Sequence, residues 1–379
     1  QLIFVNGCKS GLLCEELAER GVPSIGWDTI ALDDACAVFA LGVYECLLRR
    51  AADPLTAAAL RESFEQGKLA VAAVQRGGKD KYAVADPKAQ PRRADGSVGG
   101  WLPDGRLAAG VPVLLMAHRP RGDLPVMPDH IELRPEERAL RDRLLCALLE
   151  PISLVGGAAR PGSAASVVGT AGLGKTTLAA RLALDVRVQS AFHDGVFWLR
   201  FGQERSALDV LRELADMVGV DVNQLRDQEE APDHAVDVIR KKLSGQCCLL
   251  VLDDIWTYEQ ARPFLKLQTG RLTTTRLREV ATRVGALQEM LPLEHSQAQR
   301  LLAACMQVSD DLSTDSDARE LVHLSGGLPV VLEQWGATCR NQSIGSFLDE
   351  LKWARGQQSV VEVEASGDYE YDSFFAGLE

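Results

Sequence analysis

Apolar residues in this chain change period along its length, and the changes mark its elements. Leu2-Ile-Phe-Val5 is a short apolar run that predicts a strand, followed by a turn at Gly7-Cys8-Lys9-Ser10-Gly11 and a helix to Arg20. A second strand is expected over 23–27, then a helix over about 32–50 with Ala35, Val38, Phe39 and Cys46 on one side. Another helix should start after Asp53-Pro54, a cap with proline in the first turn, and run towards Gln75. Over 76–134 glycine, proline and charge break the pattern, predicting a loop-rich junction with one or two finishing strands, 111–116 being one apolar piece. An amphipathic helix follows at 133–145, then a glycine- and proline-rich linker at 156–163.

The second half has the stronger periodicity. A β-branched run ending at Val168 precedes a helical pattern with Leu178, Leu182 and Val186 four apart. A strand is expected at 195–201 and helices at about 207–218 and 234–243. Residues 247–252 are too continuously apolar for a surface strand, so a buried parallel strand is predicted, delivering Asp253 and Asp254 to its C-terminal edge. Leu272-Thr-Thr-Thr-Arg276 ends a further β-rich run and places Arg276 at that edge.

Composition narrows the classes. At 379 residues, 46% apolar and 25% charged, the chain is expected to form two or three globular domains. A net charge of -12 gives no electrostatic footprint for nucleic acid or anionic lipid, despite small basic clusters such as Arg119-Pro-Arg121. Nucleic acid and membrane are therefore not expected partners. Nine cysteines without a C-x-x-C pair, two of them in the strand pattern at Cys247-Cys248, favour a reduced, cytoplasmic protein. No apolar run reaches the length of a membrane span, and no cleavable signal is visible. The abrupt start at Gln1 and the acidic tail over 359–379 suggest a fragment of a longer protein.

Chemistry enters at Gly169-Thr-Ala-Gly172-Leu-Gly174-Lys175-Thr176, a G-x-x-x-x-G-K-T run between the predicted strand and helix. Gly169, Gly172 and Gly174 permit a loop that wraps a polyphosphate with its N–H groups inward, at the positive end of the helix beginning near Lys175. Lys175 adds charge at the outer phosphates, the Thr176 hydroxyl is placed to ligate magnesium, and Thr177 stands beside them. After such a loop, Asp253 reads as the second magnesium ligand and Asp254 as the residue that orients or deprotonates water; alone, the pair would read as a helix cap before Ile255-Trp256. Arg276 has the donor fork to sense a terminal phosphate, its alternative being a solvated side chain.

Two resemblances add to this reading. Val5-Asn-Gly-Cys8-Lys-Ser-Gly11, Gly21-Val-Pro-Ser-Ile-Gly-Trp27, and Asp33-Asp34-Ala35 with Phe39, Tyr44 and Leu47 resemble the C-terminal half of a caspase-like domain of the CHAT type. That resemblance puts Cys8 at the nucleophile position and the partner histidine upstream, where this chain has no residues; Cys8 is thus a former or incomplete nucleophile, and no peptidase activity is expected. The phosphate loop, Val196-Phe-Trp-Leu199, Leu249-Leu-Val-Leu-Asp-Asp-Ile-Trp256, Leu272-Thr-Thr-Thr-Arg276 and Gly327-Leu-Pro329 resemble, in order, the NB-ARC family of signalling NTPases, of the STAND class. This second resemblance implies an α/β fold: a P-loop NTPase with a doubly wound parallel sheet carrying ADP or ATP with Mg2+, then a small helical domain whose Gly-Leu-Pro turn brings Pro329 to the adenine.

It also implies slow ATP hydrolysis that controls the N-terminal module, other signalling proteins as partners through that module, a nucleotide-dependent oligomer of a longer parent, and a role in defence or cell-death signalling. A nucleotide-regulated cysteine protease is the alternative. The family's winged helix, with its phosphate-contacting histidine, does not occur before Glu379. The expected domains are a partial caspase-like module at 1–85, the junction at 86–130, the nucleotide domain at 131–290, the helical domain at 291–358 and the tail at 359–379.

Overall fold

A computed structural model describes residues 2–5, 10–28, 31–50, 56–76, 79–80, 82–83, 107–108, 112–118, 120–125, 163–220, 232–308 and 312–358. The expected helix at 133–145, the linker at 156–163 up to residue 162, the acidic tail and Cys8 lie outside those residues. Two compact units result: the described residues within Gln1–Met127, Ala139–Val168 and Thr176–Gln288 form the first, and those within Gly169–Lys175 and Glu289–Glu379 the second.

The first unit begins with a small three-stranded sheet in the order β1-β2-β7. Strands β1 (Ile3–Phe4) and β2 (Ser24–Trp27) run parallel, and β7 (Pro112–Leu115) joins β2 antiparallel, so the apolar piece expected at 111–116 is indeed a finishing strand. Two short ladders lie between them in sequence, β3 (Gln75–Arg76) with β4 (Lys79–Asp80) and β5 (Tyr82–Ala83) with β6 (Leu107–Ala108). Helix α1 (Gly11–Glu19) packs on β2, while α2 (Asp33–Arg49) and α3 (Ala57–Ala72) form a close hairpin. A Cβ on Gly42 would lie 2.9 Å from the Gln66 carbonyl and one on Gly67 2.7 Å from Phe39 and Val43, so glycine is what lets these helices approach. Ile25, Trp27, Phe39 and Val43 fill the core beneath them. The helix expected after Asp53-Pro54 is described from Ala57, where the Thr56 side chain caps it by accepting the Ala59 N–H at 3.1 Å.

The larger sheet has the order β12-β8-β11-β10-β9, with β8 (Ala164–Val168), β9 (Gly195–Arg200), β10 (Cys248–Ile255) and β11 (Gly270–Thr275) mutually parallel and β12 (Ala286–Glu289) beyond β8. Between the strands run α4 (Lys175–Leu184), α5 (Val186–Ala191), α6 (Ala207–Met217), α7 (Pro232–Leu243), α8 (Tyr258–Leu265) and α9 (Arg278–Val284). Every residue from Cys248 to Asp253 is buried, as the unbroken apolar run predicted for a strand covered on both faces. Phe197, Leu211, Ile239, Leu250 and Phe264 pack together in the core on one side.

In the second unit α10 (His295–Met306), α11 (Ser316–Leu324), α12 (Pro329–Thr338) and α13 (Ile344–Gln358) form a helical cluster. Trp335 meets Phe347 edge to face at 6.0 Å, and Gly336 lets α12 approach α10, since a Cβ there would be 2.5 Å from Cys305 Cβ. Among the described residues no helix is long and apolar enough to cross a membrane.

Candidate nucleotide site

Within the second unit, the three loop glycines answer to different constraints. Gly174 needs its left-handed φ of +92°, Gly169 has the Met290 carbonyl 2.8 Å from where a Cβ would stand, and Gly172 combines φ +76° with a Val330 methyl at 2.4 Å. Val330 also donates its N–H to the Gly172 carbonyl at 3.3 Å, so the turn that starts α12 touches the loop. Pro329 occupies the first turn of α12, where its missing N–H costs nothing. Before it, Gly326 and Gly327 have positive φ, and Leu293 donates its N–H to the Gly327 carbonyl at 2.8 Å. Lys175 is buried, with 8% of its surface exposed, and its Nζ donates to the Thr170 carbonyl at 2.7 Å, which holds the loop closed on itself. Sequence reasoning missed Val330, because a valine after a proline carries no signal of its own.

Within the first unit, the metal-type residues converge. Thr176 donates its hydroxyl to Asp253 Oδ1 at 2.9 Å, and Thr274 donates to the same oxygen at 2.7 Å. Asp253 is 1% exposed, and burial raises its carboxyl pKa; the hydroxyls of Thr274 and Thr176 pull in the opposite direction. Thr274 was seen in the sequence only as part of a threonine run. It reaches Asp253 because β11 lies between β8 and β10, and because β10 bulges there: Leu252 pairs with Thr273 and Ile255 with Thr275, leaving two acids opposite Thr274. Asp254 takes φ +57°, uncommon for a residue with a side chain, and its N–H donates to Thr274 Oγ1 at 2.8 Å.

Arg276 meets Asp254 at 3.8 Å and stacks over Trp256 at 4.7 Å. The structure gives Arg276 an acid and an aromatic face, a pairing that the sequence does not signal. Asp254 and Arg276 therefore sit together at the strand edge, while Thr177 stands partly exposed in the first turn of α4. The donors around Asp253 are hydroxyl and carboxylate oxygens, the set that suits magnesium, and a buried carboxylate held by two hydroxyls gains from an added cation.

Helix α4 leads directly to the N-terminal module. Asp185 ends it and caps α5, accepting the Arg187 N–H at 2.8 Å. The Arg187 guanidinium forks onto Asp28 at 3.0 and 3.1 Å and bonds Glu15. Burial works against this charge, but the Asp28 and Glu15 carboxylates outweigh it and raise the Arg187 pKa. The strand end after β7 docks on α5 as well: Ser190 Oγ accepts the Met116 N–H at 2.8 Å, and Gln189 Oε1 the His118 N–H at 2.9 Å. Arg121, part of the basic cluster, is structural; it bridges to the edge of β9 and its guanidinium donates to the Met217 carbonyl at 3.0 Å. Ser10, close to the segment that carries Cys8, accepts the Trp27 N–H at 3.0 Å.

A parallel sheet with this loop, and a threonine and an aspartate joined at its strand ends, defines an α/β P-loop nucleotide-binding fold. Residues 157–308 match the NB-ARC domain, which supports a P-loop NTPase of NB-ARC type. Two proteins of Solanum bulbocastanum with disease-resistance names are similar. RGA1 is 27% identical over 210 residues, 52% of this chain and 20% of that protein; RGA2 is 29% identical over 186 residues, 45% of this chain and 18% of that protein. The chain thus spans about a fifth of the length of these relatives. Among solved structures, the Aeropyrum pernix ORC1 protein in complex with DNA is 17% identical, covering 63% of this chain and 71% of that one at a TM-score of 0.41. A signal transduction ATPase with numerous domains from Pyrococcus horikoshii is 16% identical, covering 55% of this chain and 30% of that one at a TM-score of 0.38.

Proposed function

We propose that the chain is the nucleotide-gated core of a signalling switch that binds ADP or ATP with Mg2+, hydrolyses ATP slowly and transmits its state to the N-terminal module. The observation that carries this reading is the Thr176–Asp253–Thr274 hydroxyl–carboxylate set in a domain of NB-ARC type. Thr176 and Asp253 would hold the magnesium ion, which when bound neutralises phosphate charge. Lys175 and the loop N–H groups bind the phosphates, Asp254 orients or deprotonates water, Arg276 senses the terminal phosphate, and Pro329 lies against the adenine. Transmission runs through α4 into α5, whose Arg187 grips Glu15 and Asp28 of the module. The module is read as the C-terminal part of a caspase-like domain of the CHAT type, acting as an effector or adaptor without peptidase activity of its own.

The names of the relatives support a role in defence signalling. Signalling proteins that meet the module are the proposed partners, in the cytoplasm, with a nucleotide-dependent oligomer of the longer parent. Extraction of nucleotide from freshly purified protein should yield ADP or ATP, and magnesium-dependent ATP turnover should be slow and abolished in Lys175→Ala. Protein that neither retains nor binds an adenine nucleotide by calorimetry overturns the reading. A Cys8-dependent cleavage of reporter peptides would instead favour a nucleotide-regulated cysteine protease.

A further inference from the structure

A second polar cluster occupies the opposite edge of the large sheet. His193 and Asp194 end the turn before β9, and Cys247 stands immediately before β10; the pairing of Gly195 with Cys248 brings the three together. Their ligand atoms, an imidazole nitrogen, a carboxylate oxygen and the thiol sulfur, all lie within 4.8 Å of one another. Backbone bonds fix the approach: Asp194 Oδ2 accepts the Cys247 N–H at 2.7 Å, and the Asp194 N–H donates to the Cys247 carbonyl at 3.2 Å. From Cys247 to Asp253 the strand extends about 20 Å at the usual rise, so this cluster cannot belong to the phosphate site.

The donor set decides what could bind. Magnesium and calcium favour oxygen alone, whereas thiolate, imidazole and carboxylate together suit zinc, with a fourth position left for water. The surroundings fit that use. The His193 Nε2 lies 3.6 Å from Asp194 Oδ2, so the imidazole and the carboxylate already meet where a shared ion would sit. A thiolate and a carboxylate balance the two charges of zinc, which limits the cost of placing them in a site where Cys247 is 4% exposed. Arg61 on α3 lies near enough for its charge to be felt at Asp194 and Cys247, and its Nε is buried without a hydrogen-bond partner. His118, at the end of the β7 segment, meets Gln189, four residues before His193, through both its N–H and its ring, so the N-terminal module comes close to the cluster.

We propose that His193, Asp194 and Cys247 form a zinc site at the seam between the N-terminal module and the nucleotide domain, separate from the magnesium residues. Because Arg61 competes for the same anionic groups, zinc binding and the seating of α3 are linked. The test is cobalt titration of the full chain after chelation, with zinc added back to displace it. One equivalent should produce the visible bands of tetrahedral cobalt and a near-ultraviolet sulfur-to-cobalt charge-transfer band.

Cys247→Ser should abolish the charge-transfer band and His193→Ala should weaken binding by about ten- to a hundredfold, while Arg61→Gln should tighten it several-fold. Cys248→Ala should leave the bands in place. Absence of tetrahedral bands in folded wild-type protein, or bands unchanged in both Cys247→Ser and His193→Ala, overturns the proposal. Should those variants fail to fold, X-ray absorption of the zinc-loaded wild type decides: one sulfur in the shell supports the site and an all-oxygen shell refutes it. Loss of ADP binding in Lys175→Ala leaves this test untouched, so the two readings fail separately.

Discussion

Strand β10 has a polar cluster at each end of an apolar middle, and the two are assembled by different means. At the C-terminal end Asp253 is held by hydroxyls from α4 and β11, and a bulge turns Asp254 towards Arg276. Every donor around Asp253 is a hard oxygen, and each comes from a different stretch of chain. At the N-terminal end Asp194, His193 and Cys247 meet through the register of only two neighbouring strands. One buried strand thus separates a cluster of oxygen-bearing side chains from a cluster that adds a thiol and an imidazole.

The comparison can be broken most forcefully at the phosphate loop. Lys175→Ala should cost about 3 kcal/mol of nucleotide binding, roughly two orders of magnitude, since it removes a charge-assisted contact from a buried position. Calorimetry with ADP checks this, and unchanged affinity would detach the C-terminal end from nucleotide. Asp253→Asn should weaken Mg-ATP binding by about 2 kcal/mol while leaving binding in chelator nearly unchanged, because the amide keeps the shape and loses the charge. Equal losses with and without magnesium would remove Asp253 from the metal role.

Smaller effects sharpen the contrast. Thr274→Val should destabilise the protein by about 1–2 kcal/mol in denaturant titration, since it leaves both Asp253 and the Asp254 N–H short of a partner. Arg187→Ala should cost about 1 kcal/mol, reduced by salt because the side chain is 34% exposed, and should increase hydrogen exchange in α1 and β2. No change in exchange there would argue that α5 does not carry the coupling. Arg276→Ala should be the mildest, changing stability by about 0.5–1 kcal/mol through its partly exposed pair and its stacking on Trp256, while lowering ATP affinity more than ADP affinity. Equal loss of the two nucleotides would take Arg276 out of the sensor role.

Local sequence determined much of this protein, for reasons confined to short stretches of chain. The order Gly169, Gly172, Gly174, Lys175, Thr176 is set by backbone angles and phosphate chemistry that operate within a few residues, and the apolar run before Asp253 could only be a strand covered on both faces. Periodicity likewise placed α2 and α6, whereas the helical cluster was expected only from the family resemblance. Only the tertiary structure decided who stands next to whom. Thr274 meets Asp253 because β11 lies between β8 and β10, a strand order that no periodicity encodes. Val330 closes on Gly172 although the two are 158 positions apart (330 − 172), and Arg187 reaches Asp28 across a separation of 159. His193, Asp194 and Cys247 carry no spacing signal at all, since 53 positions separate the acid from the cysteine and strand register alone unites them. Propensity and turn chemistry act along the chain, whereas ligand sets and ion pairs depend on strand order and register, which the packing of the whole sheet selects.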